Sequence, residues 1–256
     1  MTGDSISFER LADVYDATRG GIERGKRFSE DLAPFFADRR GLILDLGVGT
    51  GAVAFPLHLQ TQRPVFGLDL SPAMLSKADT RLGPGHVVTA DACCLPVRDG
   101  AAADLVAVWL FQLVGDRAAV LGEAARVLAP GGRFVVVPAA VAERIDSDLE
   151  EAMPVWHEHL GRRFTAEEDD ALLELAGEAG LRCVERGFTG WQEWDQSPND
   201  EADRIEQRTY SLLLDLDDAT WQEKVVPVVD RLRSLPDPDR PRRRGSRHHI
   251  LVLAHA

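Results

Sequence analysis

Three glycines at alternate positions, Gly47, Gly49 and Gly51, follow an apolar run and precede more small and apolar side chains in LILDLGVGTGAVAF, residues 42–55. A strand, a tight turn and a helix start in this order gather backbone N–H groups at one point. Glycine lets the turn take positive φ and lets a ligand approach the backbone. Gly47, Gly49 and Ala52 satisfy the G-x-G-x-x-G/A dinucleotide pattern, and Asp69 follows at a distance suited to a ribose contact. Taken alone, that pattern admits a nicotinamide dehydrogenase. Asp45 argues otherwise, because a carboxylate two residues before the first glycine opposes a pyrophosphate and suits a cation. The chain also holds three lysines, Lys26, Lys77 and Lys224, and neither tyrosine has a lysine four residues on, so a Tyr-x-x-x-Lys hydride site is absent.

A ligand that carries both a ribose and positive charge is S-adenosylmethionine (SAM), with its sulfonium and ammonium. The elements that must position such a loop are legible around it. Apolar runs at LILDL, PVFGLDL, HVVTA, DLVAVWL, GRFVVVP, LRCVERGF and HHILVLA alternate with helical periodicity, which predicts a parallel sheet covered by helices on both faces. The expected fold is α/β: a Rossmann-like doubly wound seven-stranded sheet, mostly parallel with an antiparallel last strand, plus a small helical cap. Ser71 with Pro72, Asp116, and Thr165 with Glu168 three residues on read as helix starts, and Gly180 as a helix end. Pro56 is expected to kink the helix after the loop or end it early. Residues 190–235 are too long for an unstructured loop and have helical spacing, so they read as a cap, with LPDPDRP as a stiff exit. The expected organisation is 1–40 N-terminal lid helices, 41–189 cofactor-binding core, 190–240 helical cap, and 241–256 last core strand.

The segments then resemble a known family. LDLGVGTG looks like the first motif of class I SAM-dependent methyltransferases; GLDLSPAML, TADACCLP and ARVLAPGGRFVVV resemble the segments that follow it, in the same order. FERLADVYDATRG is similar to the lid helix of small-molecule members, including the ubiquinone and menaquinone C-methyltransferase group. The resemblance runs from about Phe8 to Val137. It implies that Gly47, Gly49 and Gly51 line the methionine half of SAM, with Asp45 orienting the loop or the ammonium. It implies further that Asp69 accepts both ribose hydroxyls, that Leu70 and Met74 cover the adenine, and that Asp91, with the Ala92 or Cys93 backbone, reads the adenine edge. Plain core packing is an equal reading for Leu70 and Met74. Tyr15 and Arg19, four residues apart on one helix face, are placed by the resemblance in the lid above SAM.

The acceptor side is less determined. Methyl transfer is an in-line displacement from an excellent leaving group, so alignment alone can carry it and a base is optional. Where many relatives have a histidine after the fourth strand, this chain has Gln112. His157 and His159, two residues apart, fall on different faces of a helix, which excludes a joint metal site and leaves each a minor candidate base. Trp109, Trp156, Trp191, Trp194 and Tyr210 are candidates for an apolar acceptor pocket or for core. The formal net charge of −13 disfavours a polyanion. RPRRRGSRHH, residues 240–249, is a local basic exception that reads as solvated loop charge able to pair with the acidic cap. No apolar run reaches membrane-spanning length, the start lacks a signal peptide, and three cysteines without a disulfide framework or zinc spacing suit the cytoplasm. The resulting expectation is a SAM-dependent methyltransferase, without a metal, acting on a small apolar or aromatic acceptor. An RNA or protein methyltransferase using the basic run, and a SAM-binding module without transfer activity, remain as alternatives.

Overall fold

The computed structural model describes residues 12, 15–17, 20–138, 141–145, 147–153, 159, 167–210, 213–214 and 216–256. They divide into two compact units, one drawn from 1–140, 166–190 and 248–256, the other from 141–165 and 191–247.

In the first unit, β1 (Ile43–Leu46), β2 (Val65–Asp69), β3 (Val87–Thr89), β4 (Asp104–Val108) and β5 (Phe134–Val137) are parallel neighbours in the order β3-β2-β1-β4-β5. The carboxyl half of β9 (Arg242–His255) lies antiparallel to β5, and β7 (Leu181–Phe188) pairs on its other side. The unit therefore holds the expected seven strands, with the last one reversed. β1 and β5 are buried at every position, which is why neither alternates polar with apolar, β1 being interrupted by the buried Asp45 alone, whereas the edge strand β3 is short and partly exposed.

Two hydrophobic clusters cover the two faces. One joins Phe28 and Leu32 of α1 (Gly21–Leu32), Ala54 and Leu57 of α2 (Ala54–Thr61), and Leu75 and Ala78 of α3 (Pro72–Leu82) to Ile43, Val106 and Val135. The other joins Val120, Leu121 and Ala124 of α4 (Arg117–Val127) to Leu105, Phe134 and Leu251. Ser71 accepts the Met74 N–H at 3.2 Å and Asp116 the Ala119 N–H at 2.9 Å, so both expected caps are formed. Pro56 corrects an expectation: α2 runs on to Thr61. Pro56 falls in the first turn, where its missing N–H is not needed, and Gln62 in the left-handed region closes the helix. The cap expected at Thr165 lies outside the described residues.

The second unit differs from the expected helical cap over 190–240. It also takes in residues from 141–165, and it contains strands. Residues 242–246 of β9 pair antiparallel with β8 (Gln192–Gln196), and Ile145, just past β6 (Val141–Arg144), donates its N–H to Gly245 O at 2.9 Å. Helices α5 (Asp148–Ala152), α7 (Pro198–Glu206) and α9 (Val226–Arg233) bring Leu149, Ile205 and Leu232 to a cluster that also holds Val225; the single turn α8 (Asp218–Thr220) buries no residue, and the intervening α6 (Glu167–Glu178) belongs to the first unit. The basic run is thus strand rather than loop. Arg242 pairs with Asp148, Arg243 with Glu193, Arg244 with Glu150 and Arg247 with Glu143.

At the amino ends of the parallel strands, Asp104 is fully buried and accepts from Arg39 at 2.8 Å, from Arg63 at 2.7 Å and from the Arg133 N–H at 2.8 Å. Removing one partner of a buried ion pair strands the others. Asp104→Ala should therefore lower stability by about 3–5 kcal/mol in urea unfolding.

Candidate cofactor site

The turn after β1 is pinned at both ends. Gly47 N–H and Val48 N–H both donate to Leu68 O, at 2.8 and 2.9 Å, and Gly51 N–H donates to Val48 O at 2.9 Å. Gly49 has φ 55°, and a Cβ built on it meets nothing within 4 Å. The backbone here therefore opens onto space, and glycine is needed for the dihedral rather than for packing.

Asp69, at the carboxyl end of β2, fixes this loop. Its Oδ2 accepts the Gly49 N–H at 2.9 Å and its Oδ1 the Ser71 N–H at 2.9 Å. One carboxylate thus holds the glycine turn and the start of α3 together. Asp45 is 3% exposed, and its carboxyl is pushed up to about 7, chiefly by burial and then by the charge of Asp69. Two acids facing one loop stabilise a cation there and repel a phosphate.

Asp91 is exposed and accepts the Cys93 N–H at 2.8 Å, with Ala92 between them half-buried; the Cys93 thiol is pushed up to about 11 by burial and by Asp91. Leu70 is 51% exposed and offers an apolar surface beside Asp69, but Met74 is 2% exposed and packs inside. Gly47 and Gly51 line the turn, with Leu110 and Ala78 directly behind them. Tyr15 is half-buried in a helical stretch, whereas Arg19 and His157 lie outside the described residues. His159 belongs to the second unit, where its ring bonds Lys224 O at 3.0 Å and its own carbonyl accepts from Lys224 Nζ. Gln112 follows β4, and its Oε1 is buried with no hydrogen-bond partner among the described residues.

The structure adds Asp16, Thr50 and Arg81, which the sequence did not single out, and gives the candidate Trp109 its surroundings. Asp16 accepts from Thr50 Oγ1 at 2.8 Å and from Arg81, while Arg81 also donates to Thr50 O at 2.6 Å, so the N-terminal segment is tied to the loop's own Thr50. Trp109, one residue past β4, has φ 55°, uncommon for a bulky side chain. Its ring meets Phe28 edge-on at 4.7 Å and His248 at 5.6 Å, and the Arg24 guanidinium lies 4.0 Å from it. His248, read earlier as part of the basic run, is buried here.

These residues fit SAM. The open backbone at Gly49 can take the methionine portion, Asp45 its ammonium, Asp69 the ribose hydroxyls, and Leu70 with Asp91 the base.

Comparison with known proteins agrees. A family model described as a methyltransferase domain matches residues 44–136. The chain is 39% identical over 142 residues to a demethylmenaquinone methyltransferase of Thermus thermophilus, covering 51% of this chain and 63% of that protein. It is 30% identical over 178 residues to a phosphatidylethanolamine N-methyltransferase of Cereibacter sphaeroides, covering 64% of this chain and 85% of that one. Haemonchus contortus phosphoethanolamine N-methyltransferase 2 shares the fold at TM-score 0.56 and 18% identity, over 100% of this chain and 60% of that one. The chain belongs to the class I SAM-dependent methyltransferases. Relatives of the ubiquinone and menaquinone C-methyltransferase group are among its matches, and the chain spans 63%, 58% and 54% of the length of three of them.

Two outcomes follow for binding. Asp69→Ala should weaken SAM by about 3 kcal/mol, the loss of two charge-assisted hydrogen bonds; calorimetry showing unchanged affinity would overturn the ribose assignment. Because the Asp45 pKa is raised, its protonated form adds stability below about pH 4 that is lost as pH climbs through about 7. Asp45→Asn should thus raise the melting temperature of the free protein at pH 8 and leave it little changed at pH 4. Binding of a cation should show the opposite trend, with wild-type SAM affinity rising between pH 6 and 8 and that rise absent in Asp45→Asn.

Proposed function

We propose that this chain transfers the methyl group of SAM to a small apolar or aromatic metabolite. The observation that carries the reading is the pair of carboxylates, Asp45 and Asp69, set on an open glycine turn. SAM supplies an electrophilic methyl on a sulfonium. The chain's own part is to hold it: Asp69 fixes the turn and the ribose, Asp45 balances the ammonium, and the Asp16, Thr50 and Arg81 contacts fasten the N-terminal segment over the loop. Restricting both reactants to one geometry can lower the barrier by about 7 kcal/mol without acid or base.

The acceptor class rests on the carboxyl end of β4, where the half-buried Trp109 ring, backed by the buried Phe28, offers aromatic surface. The relatives named for demethylmenaquinone favour an electron-rich ring. A nucleic acid acceptor is disfavoured by the net charge of −13 and by a basic run whose Arg242, Arg243, Arg244 and Arg247 each face a carboxylate.

Turnover with methyl-labelled SAM against a naphthoquinol lacking the ring methyl, a catechol and an aryl amine tests the class. Salt separates the alternatives. An enzyme neutralising four phosphates loses about a hundredfold in affinity from 50 to 200 mM salt. We expect the acceptor KM to change less than about threefold over that range, and Arg240→Ser with Arg243→Ser to leave kcat/KM unaltered. A steep salt dependence flattened by that double variant would put a polyanionic acceptor first. SAM binding with no methylated product from cell extract would favour a binding module.

A further inference from the structure

The aromatic surface at the carboxyl end of β4 already carries a cation. We propose that Arg24 is a specificity-determining residue that reads the charge of the acceptor, selecting an aromatic ring that bears a carboxylate over the same ring without charge and rejecting a cationic one. The inference deepens the methyl-transfer reading above and rests on it.

The cation is placed by two elements that both border the glycine turn. On α1, Gly25 packs where the turn passes into α2, and a Cβ there would come within 1.9 Å of Ala52 O and 3.1 Å of Val53 N. Arg24 is its neighbour in the chain. On the other side, a Cβ at Gly47 would come within 2.9 Å of Leu110 Cδ1, and Trp109 is the residue before Leu110. Between them, the Arg24 guanidinium lies over the Trp109 ring at 4.0 Å and over the Phe28 ring at 5.6 Å. Arg24 and Trp109 are both half-buried, so the charge stands on aromatic surface beside the cofactor turn. Trp109 is held there with φ 55°, a region costly for a bulky residue, by donating its N–H to Val137 O at 2.9 Å and by Phe28 and His248 against its ring. Strain of this kind persists where the surrounding structure imposes it, and it gathers at ligand sites.

A guanidinium lying over an indole engages it through its face. That contact uses none of its five N–H donors, and a carboxylate takes only two in the bidentate geometry. A planar acceptor that settles on the Trp109 surface removes water from this charge. A neutral ring does not replace that water, a cation adds like-charge repulsion, and an anion restores the lost hydrogen bonds. Asp45 and Asp69 suit a cationic cofactor, whereas Arg24 carries the opposite sign. The two ligands are thereby sorted by charge.

The test uses the full chain saturated with S-adenosylhomocysteine and titrates it by calorimetry with 2-naphthoate, 2-naphthol and 2-naphthylmethylammonium, which share one ring system. The wild type should bind 2-naphthoate at least tenfold more tightly than 2-naphthol, and the ammonium more weakly than either. Arg24→Gln should bring 2-naphthoate within threefold of 2-naphthol while SAM affinity stays within threefold of the wild type. A merely structural arginine would change all three ligands alike. Arg24→Lys keeps the charge but loses the planar fork, so it should retain part of the preference, and it decides the matter if Arg24→Gln fails to fold. Equal affinity for the three ligands, or no binding of 2-naphthoate, overturns the assignment. So does a tenfold loss of SAM affinity in Arg24→Gln with the 2-naphthoate preference intact, which gives the guanidinium to the cofactor's own carboxylate. A preference that is lost with Arg24 while no acceptor is methylated counts against the methyl-transfer reading instead and leaves the charge selection standing.

Discussion

The cofactor site depends on one carboxylate. Asp69 ties the glycine turn to the start of α3 through two backbone N–H groups. β2 ends where its acid must stand, and the Gly47 and Val48 amides fold back onto Leu68 beside it. A side chain already held from both sides is preorganised, and little of its binding free energy is spent on ordering it. Burial is the chief cause of the raised Asp45 carboxyl, and the charge of the neighbouring Asp69 adds to it.

Much of the first unit was legible because its strands are buried on both faces. FVVV and ILDL leave no doubt about period, and Ser71 and Asp116 cap where their side-chain oxygens predict. The glycine turn was legible for the same local reason. The second unit was not. QEWDQ is a mostly polar strand paired with an arginine-rich segment, to which the Arg243–Glu193 ion pair also ties it, so β8 carries no hydrophobic signature, and its contacts join stretches far apart in sequence.

The site residues divide along the same line. Asp45, Asp69 and the glycines sit within one motif. Asp16 meets Thr50 and Arg81 across 34 and 65 residues, so no local spacing announces either contact. Met74 shows the converse limit. Its helical position was plain, but whether it faces a ligand or the core depends on packing that a single sequence does not encode.

Gly25 lies on α1, far in sequence from the glycine turn, yet a Cβ there would stand 1.9 Å from Ala52 O and 3.1 Å from Val53 N. Helix and turn meet backbone to backbone, with no side chain to trim or rotate. Across a set of homologues, invariance at this position would therefore record a steric accident of docking rather than a role in chemistry. A relative bearing any larger residue there must carry its N-terminal helix along a different path, so this single position serves as a marker for which members of the family share this arrangement.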